Sequence, residues 1–183
     1  MRTALIVVDV QNDFCEGGAL AVPRASRAIA NIKDLIARSR FTLTVHTRDF
    51  HPPDHISFAA NHKGGQPFTS IKHDSLGTID LWPYVVSKGT NASEEAYSGF
   101  GTAASPTELD SLLRQHAIER VVVVGLAYDY CVAATARDAA LLGFKTVILE
   151  DCSAGVSPDP ASTRQQLTQQ GVLHSSWSHF CDC

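Results

Sequence analysis

Cys131 is the residue whose setting most favours covalent chemistry. It follows the apolar run Val121 to Val124 and the turn Gly125-Leu-Ala-Tyr-Asp-Tyr130, and an Ala-rich helix is predicted to open at it. Backbone N–H groups and the positive dipole end at a helix start favour a thiolate, and the same groups can hold the oxyanion of a carbonyl under attack. The alternative is a buried packing cysteine, the commoner fate of this residue type. The position favours a nucleophile.

Two charged residues could assist such a thiol. Asp9 closes the apolar run Leu5 to Val8, and an acid at the end of a buried parallel strand points into a crevice where desolvation raises its pKa and suits it to proton transfer. Its alternative role is a helix cap or a salt-bridge partner. Lys88 follows Val85-Val86 at a predicted strand end. A lone Lys is usually a surface residue, but beside an acid and a thiol its charge would hold both ionised and lower the thiol pKa.

Metal-binding residue types cluster after the second predicted strand. Asp49, His51 and His55 lie in Asp-Phe-His-Pro-Pro-Asp-His, directly after the run Phe41 to Thr47. Alternation along an extended segment turns Asp49 and His51 to one side, and the Pro-Pro bend can return His55 toward them. Two imidazoles and one carboxylate with an open position suit one divalent metal ion, zinc first and iron or manganese as alternatives. The competing interpretation is a polar surface loop.

The elements that must position these residues alternate between strand and helix. Unalternated aliphatic runs suit strands buried on both faces, and they occur at Ala4 to Val8, Phe41 to Val45, Val121 to Val124 and Thr146 to Leu149. Helical signals separate them: the stripe Ile29, Ile32 and Ile36, a capping box at Ser105 to Glu108, the segment Cys131 to Leu142, and a last helix from about Pro160 to Gln170. We predict an α/β fold with a doubly wound, mainly parallel sheet and helices on both faces.

Length and composition restrict the class of protein. The 183 residues are 44% hydrophobic and 19% charged, which predicts a single domain over residues 1–183, with a metal and substrate loop region at about 49–100. The net charge of −4 and the lack of a basic run argue against nucleic acid as a partner. The longest strongly apolar stretch, Val121 to Ala127, is far shorter than the ~20 residues of a membrane span. Asp9 interrupts the only early apolar run, so no signal peptide is predicted and we expect a cytoplasmic protein.

Cysteine usage agrees with that location. Five Cys is an odd number, and no CxxC pair occurs, which argues against a disulfide framework. The cysteines other than Cys131 are interpreted as structural or exposed: Cys15, Cys152, Cys181 and Cys183.

Five fragments in a fixed order carry a family resemblance. They are Val8-Asp-Val-Gln-Asn-Asp-Phe-Cys-Glu-Gly-Gly18 with Leu20, Thr47-Arg-Asp-Phe-His-Pro-Pro-Asp-His-Ile-Ser57, Lys88-Gly89, Ala96-Tyr-Ser-Gly-Phe100 and Gly125-Leu-Ala-Tyr-Asp-Tyr-Cys131. Together they resemble the nicotinamidase/pyrazinamidase group of the isochorismatase-like (cysteine) hydrolases over nearly the whole chain. The resemblance implies a small-molecule substrate, nicotinamide, hydrolysed to nicotinate and ammonia in NAD salvage, with pyrazinamide as an alternative substrate.

The resemblance also implies roles for individual residues. Asp9, Lys88 and Cys131 would form the catalytic triad, with a thioester on the cysteine. The N–H groups of Ala127 and Cys131 would form the oxyanion hole beside a cis peptide at Leu126-Ala127. Asp49, His51 and His55 would hold a metal that binds the pyridine nitrogen. The substrate-contacting positions would be Phe14, Leu20, Trp82, Tyr97, Leu126 and Tyr130.

One departure from the family pattern follows Trp82-Pro83. The pattern continues within two residues to a His that is a fourth metal ligand, whereas Pro83 here leads directly into Tyr84-Val-Val-Ser-Lys88. Either the loop is genuinely shorter and the metal has three protein ligands, or residues are missing from the sequence at this junction. The matching flanks favour the second interpretation. A spacing of ~3.8 Å between the Cα atoms of Pro83 and Tyr84 would contradict it.

Other interpretations compete with a nicotinamidase. An N-carbamoyl amide hydrolase would use the triad without the metal residues, and an isochorismatase would generally lack the nucleophilic cysteine. A non-catalytic metal-binding relative would leave the order Asp9, Lys88, Cys131 unexplained. The sequence leaves a homo-oligomer possible.

Overall fold

A parallel six-stranded sheet organises the described part of the chain, residues 1–52 and 84–180 of a computed structural model. Its strands are β1 (Thr3–Val8), β2 (Leu43–Asp49), β3 (Val85–Lys88), β4 (Arg120–Leu126), β5 (Lys145–Ala154) and β6 (Leu173–Ser175). Their order is β3-β2-β1-β4-β5-β6, and every neighbouring pair is parallel. The chain winds outward from β1 in one direction and from β4 in the other. The predicted doubly wound sheet is confirmed, and its switch point lies between β1 and β4.

Helices cover both faces of this sheet. They are α1 (Ala25–Arg38), α2 (Leu109–Gln115), α3 (Ala133–Leu141), α4 (Ala161–Gln169) and α5 (Trp177–Phe180). On one face, Leu5 and Val7 pack with Ile32 and Leu35 of α1, and α5 closes the same cluster. The opposite face buries Ala4, Ile6 and Val8 against α2, α3 and α4. Because β1 is covered on both sides, all of its residues are buried, which explains its unalternated aliphatic run.

The predicted capping box at Ser105 to Glu108 is wrong. The helix begins later, at Leu109, whose N–H donates to the Thr107 hydroxyl at 3.3 Å. Ser105 instead accepts a hydrogen bond from Asn91 and donates its backbone N–H to Thr102. The serine is therefore committed to the loop that precedes α2, where its hydroxyl is out of reach of the helix start.

The carboxyl ends of four adjacent strands bring the predicted chemistry together. Asp9 directly follows β1, Asp49 ends β2, Lys88 ends β3, and Cys131 follows β4 after a short connection. Parallel strands place these ends at one edge of the sheet, beside the switch point, where open α/β sheets bind ligands. Among the residues described, no helix has the length and apolar character of a membrane span.

Candidate active site

Asp9 lies buried at the carboxyl end of β1, at the base of the candidate site. Its side chain is completely buried, and its backbone has left the strand at a positive φ of 48°. The Thr47 hydroxyl donates to Asp9 Oδ1 at 2.6 Å, and Lys88 Nζ lies 2.9 Å from Oδ2. Burial raises the pKa of Asp9 above its ordinary value, although the Lys88 charge and the Thr47 hydrogen bond act in the opposite direction. This carboxylate is thus a stronger base than an exposed one.

Lys88 contacts each of the other charged or reactive side chains of the candidate triad and also Asp49. Its ammonium is fully buried and lies 2.9 Å from Asp9 Oδ2, 3.0 Å from Asp49 Oδ1, 3.1 Å from the Ala96 carbonyl and 3.5 Å from Cys131 Sγ. Burial alone favours the neutral amine, but the neighbouring charges of Asp9 and Asp49 outweigh it and hold the pKa of Lys88 above its ordinary value. Lys88 is therefore a permanent cation that links both carboxylates to the thiol.

Cys131 sits in a π-helical turn, Tyr128–Val132, that runs into α3. The helical segment thus begins three residues before the predicted start at Cys131. The turn is closed by Ala127, whose carbonyl accepts from the N–H groups of Tyr130 and Val132, both at 3.1 Å. The peptide between Leu126 and Ala127 is cis.

The predicted lowering of the Cys131 pKa is wrong for this structure. Burial and the negative charge of Asp9 raise the pKa of the thiol, and the opposing effect of Lys88 is smaller. Cys131 is only 8% exposed as a residue, so a thiolate there would lose most of its hydration. Cys131 therefore rests as a thiol and needs Asp9 as a base when it attacks.

Asp49 and His51 converge beside this triad. His51 Nε2 lies 2.9 Å from Asp49 Oδ2, and His51 Nδ1 donates to the Gly89 carbonyl at 2.7 Å. A backbone carbonyl on the second ring nitrogen is the usual partner of a metal-binding histidine, because it directs the other nitrogen toward the ion. The Gln11 side chain holds the Asp49 backbone, with one bond to its carbonyl at 3.0 Å and one from its N–H at 2.7 Å.

The donor types of Asp49 and His51 fit a divalent metal ion. His55, the third predicted ligand, lies outside the described residues, and within the described ranges no group of three metal-binding side chains is found. Gly89 makes room for the His51 ring: a Cβ at Gly89 would lie 2.2 Å from His51 Cε1, and the glycine has φ of +69°. Only glycine fits that approach.

The predicted substrate-contacting residues fall into different environments. Tyr97 and Tyr130 are about half exposed and their rings lie 5.8 Å apart. Burial raises the pKa of Tyr97, and the Glu95 carboxylate adds to the effect. Leu126 is fully buried in the cluster around Val22 and Ala25, so that only its backbone can face a ligand.

The remaining substrate-contacting positions lie on the loop after β1 or outside the described residues. Phe14 ends a 3-10 turn, Asn12–Phe14, and packs on the same cluster as Ala127. Leu20 is 55% exposed. Trp82 lies outside the described residues, as does the Pro83 side of the Pro83–Tyr84 junction. The shorter-loop and missing-residue interpretations of that junction therefore stay predictions.

Sequence reasoning missed Thr47 and Gln11 as supports of the site. Both lie inside the fragments that carry the family resemblance, and Thr47 shares the buried side of β2 with Val45. A polar residue on a buried strand face, near a carboxyl end that carries an acid, is the signal that could have found Thr47.

Comparisons with known proteins agree with this geometry. The isochorismatase domain model matches residues 3–172. Nicotinamidase of Escherichia coli (strain K12) is 37% identical over an alignment of 205 residues that covers 98% of this chain and 95% of the relative. The alignment is longer than the chain, so the relative contains residues that have no counterpart here.

Two solved structures share both fold and sequence. A nicotinamidase of Acinetobacter baumanii has a TM-score of 0.83 and 38% identity, covering 98% of each chain. Pyrazinamidase of Pyrococcus horikoshii in complex with zinc has a TM-score of 0.80 and 34% identity, covering 96% of this chain and 99% of that one.

Proposed function

The chain belongs to the isochorismatase family, and we propose that it is a nicotinamidase, an amidohydrolase that converts nicotinamide to nicotinate and ammonia. The observation that carries the proposal is the buried contact of one ammonium, Lys88 Nζ, with Asp9, Asp49 and Cys131 at once. That contact joins a nucleophile and its base to a residue of the metal-binding pair. A carbamoyl hydrolase would need only the nucleophile Cys131 and the base Asp9. The additional contact with Asp49, a residue of the metal-binding pair, favours a substrate whose ring nitrogen can bind a metal ion.

Formation of the acyl-enzyme begins at the thiol. Asp9 takes the proton of Cys131 Sγ, the S–C bond forms at the carboxamide carbon, and the carbonyl π electrons move to oxygen. We assign the N–H groups of Ala127 and Cys131 to that oxyanion. Lys88 keeps its proton throughout, so its charge offsets the thiolate and then the carboxylate.

Two further steps complete the reaction. Asp9 passes its proton to the amide nitrogen as the C–N bond breaks, which releases ammonia and leaves a thioester on Cys131. A water molecule then attacks the thioester carbon and gives a proton to Asp9. The C–S bond breaks, the proton returns from Asp9 to Cys131, and nicotinic acid leaves; it ionises to nicotinate, and the released ammonia takes up the carboxyl proton in solution. The protons exchanged among the thiol, the amide nitrogen and the attacking water all pass through the Asp9 carboxylate, which is completely buried.

Asp49, His51 and His55 would hold a divalent metal ion, which we assign as zinc on the donor types and on the zinc-bound relative. When bound, the ion would accept the pyridine nitrogen of the substrate and orient the ring. The chain's own part is to hold the ligands: Gln11 fixes the Asp49 backbone, and the Gly89 carbonyl fixes the His51 ring.

Phe14, Leu20, Trp82, Tyr97, Leu126 and Tyr130 would surround the ring of the substrate. Pyrazinamide presents the same carboxamide and ring nitrogen, so we propose it as an alternative substrate. We place the reaction in NAD salvage, in the cytoplasm.

Ammonia release from nicotinamide tests the proposed function. We expect turnover by the metal-loaded protein and a fall of at least about 100-fold after complete chelation, because an unanchored ring leaves the carboxamide out of register with the thiol. Zinc, iron or manganese should restore the rate. An N-carbamoyl substrate is the comparison: if it is hydrolysed in preference to nicotinamide and without metal, the chain is a carbamoyl hydrolase instead.

Replacing Gly89 by Ala tests the proposed metal site. The new Cβ would collide with the His51 ring, so we expect metal affinity to fall about 10- to 100-fold, as when a supporting contact of a ligand is lost. Titration of the apo protein with zinc measures the effect. Gly143→Ala is the matched control, because Gly143 also has a positive φ but a Cβ there meets nothing within 4 Å. Equal zinc affinity in both variants would contradict the assignment of His51.

A further inference from the structure

We propose that Thr47 is a positioning residue for amide hydrolysis, whose hydroxyl holds Asp9 Oδ1 and thereby keeps Oδ2 directed at Lys88. Its effect on the reaction rests on the proposed function, whereas its effect on the thiol does not. The hydrogen bonds of Thr47 given above reach Asp9, so it would act on the reaction through Asp9.

The contacts between Thr47 and Asp9 use both groups of the threonine. The Thr47 hydroxyl donates to Asp9 Oδ1 at 2.6 Å, and the backbone N–H of Asp9 lies 3.3 Å from both the hydroxyl and the carbonyl of Thr47. Thr47 is 3% exposed and Asp9 is completely buried. Both side chains are shielded from solvent, and the Thr47 hydroxyl is the side-chain donor to Oδ1 in the described part of the chain.

Asp9 needs such a support because the sheet no longer holds it. The pairing of β1 with β4 ends at Val8 and Gly125, and the pairing of β1 with β2 ends at Val7 and His46. The positive φ of Asp9 turns its backbone away from the strand direction. Thr47 therefore binds the backbone N–H of Asp9 just beyond the last paired residues of β1 and β2. Its hydroxyl orients the Asp9 carboxylate at the same time.

Thr47 itself is held on both sides. Its backbone is in register with Val86 of β3, and its methyl group lies against Gly99, where an added Cβ would come within 2.9 Å of Thr47 Cγ2. Packing of the methyl group fixes the rotamer, and the rotamer directs the hydroxyl at Asp9. Valine can keep this packing without the hydroxyl, and serine can keep the hydroxyl without the methyl group.

Loss of the hydroxyl should change two properties in opposite directions. A carboxylate without that hydrogen bond holds a proton more tightly. The titratable groups facing Asp9 are the Lys88 ammonium from β3 and the Cys131 thiol from the π turn. A more basic Asp9 would take the Cys131 proton more often and leave more thiolate. It would return the proton less readily to the departing amide nitrogen, which slows hydrolysis.

Thr47→Val, compared with Thr47→Ser, tests the inference. For Thr47→Val we expect kcat on nicotinamide to fall at least about 10-fold, the effect of one hydrogen bond to a charged group, with KM within about threefold. Alkylation of Cys131 by iodoacetamide at neutral pH, followed by peptide mass spectrometry, should become at least about fivefold faster. Thr47→Ser should recover most of kcat and the slow alkylation.

The two measurements separate the inference from the proposed function. If the wild-type protein releases no ammonia from nicotinamide, the proposed function fails, and the alkylation rates still decide the role of Thr47. An unchanged alkylation rate in Thr47→Val, or the same loss of kcat in Thr47→Val and Thr47→Ser, would overturn the inference, because a purely structural role predicts both. If Thr47→Val does not fold, Thr47→Ala is measured against the same expectations.

Discussion

Replacing Cys131 by Ala should lower nicotinamide hydrolysis at least about 10⁴-fold, because removal of a nucleophile eliminates the covalent route while leaving the binding groups in place. Cys131 Sγ lies 3.5 Å from Lys88 Nζ, and the thiol also interacts with Asp9. Alanine fits without a clash, so the fold should persist. Ammonia release under saturating substrate measures the loss.

Cys152→Ala is the matched control for this variant. Cys152 is another buried cysteine; it lies in β5 and packs in the cluster on the α1 side of the sheet, which contains none of the triad residues. It should retain wild-type kcat at a modest stability cost of about 1 kcal/mol. Zinc affinity should be unchanged in both variants. Ammonia release by Cys131→Ala at more than about a hundredth of the wild-type rate would show that another group attacks the amide.

Replacing Asp9 by Asn should lower kcat by about 10³-fold, within the range for loss of a general acid and base. The amide can still accept the Thr47 hydrogen bond but cannot take the thiol proton. Lys88 would keep Asp49 as its remaining carboxylate partner, and breaking one buried ion pair should cost about 3 kcal/mol of unfolding free energy. Urea unfolding measures that cost separately from the rate.

The pH profile gives the same variant a second readout. Burial raises the pKa of Asp9 above 3.8, and only the ionised carboxylate can accept the thiol proton. We therefore expect wild-type kcat/KM to fall as the pH drops through a value above that of an ordinary carboxyl group, and we expect Asp9→Asn to lack this acid limb. Asp34→Asn is the control, since Asp34 is an exposed acid of α1. An acid limb that persists in Asp9→Asn would assign the titration to another group.

Much of the candidate site could be predicted from the residues that follow the buried apolar runs of the sequence. The run before Asp9 and the run before the turn to Cys131 are unalternated, so they predicted interior parallel strands whose carboxyl ends meet. The spacing of Asp49 and His51 predicted two side chains on one side of an extended segment, and the structure places them 2.9 Å apart.

Other features needed the three-dimensional structure. The pairing of Asp49 with Lys88 depends on the register of β2 and β3, which are separated by a long segment without periodicity. The protonation of Cys131 was predicted wrongly because a helix start and a lysine favour the thiolate, whereas near-complete burial and the Asp9 charge oppose it more strongly. Burial of this kind depends on the whole fold and cannot be inferred from neighbouring residues.

The covalent state of Cys131 during turnover tests its role as nucleophile most directly. The metal-loaded protein is mixed with excess nicotinamide, quenched in acid within the first turnovers, and analysed by peptide mass spectrometry. We expect a nicotinoyl group on the peptide that carries Cys131 and no such group in Cys131→Ala. Formation of nicotinate with Cys131 unmodified throughout, or with the acyl group on another residue, would contradict that role.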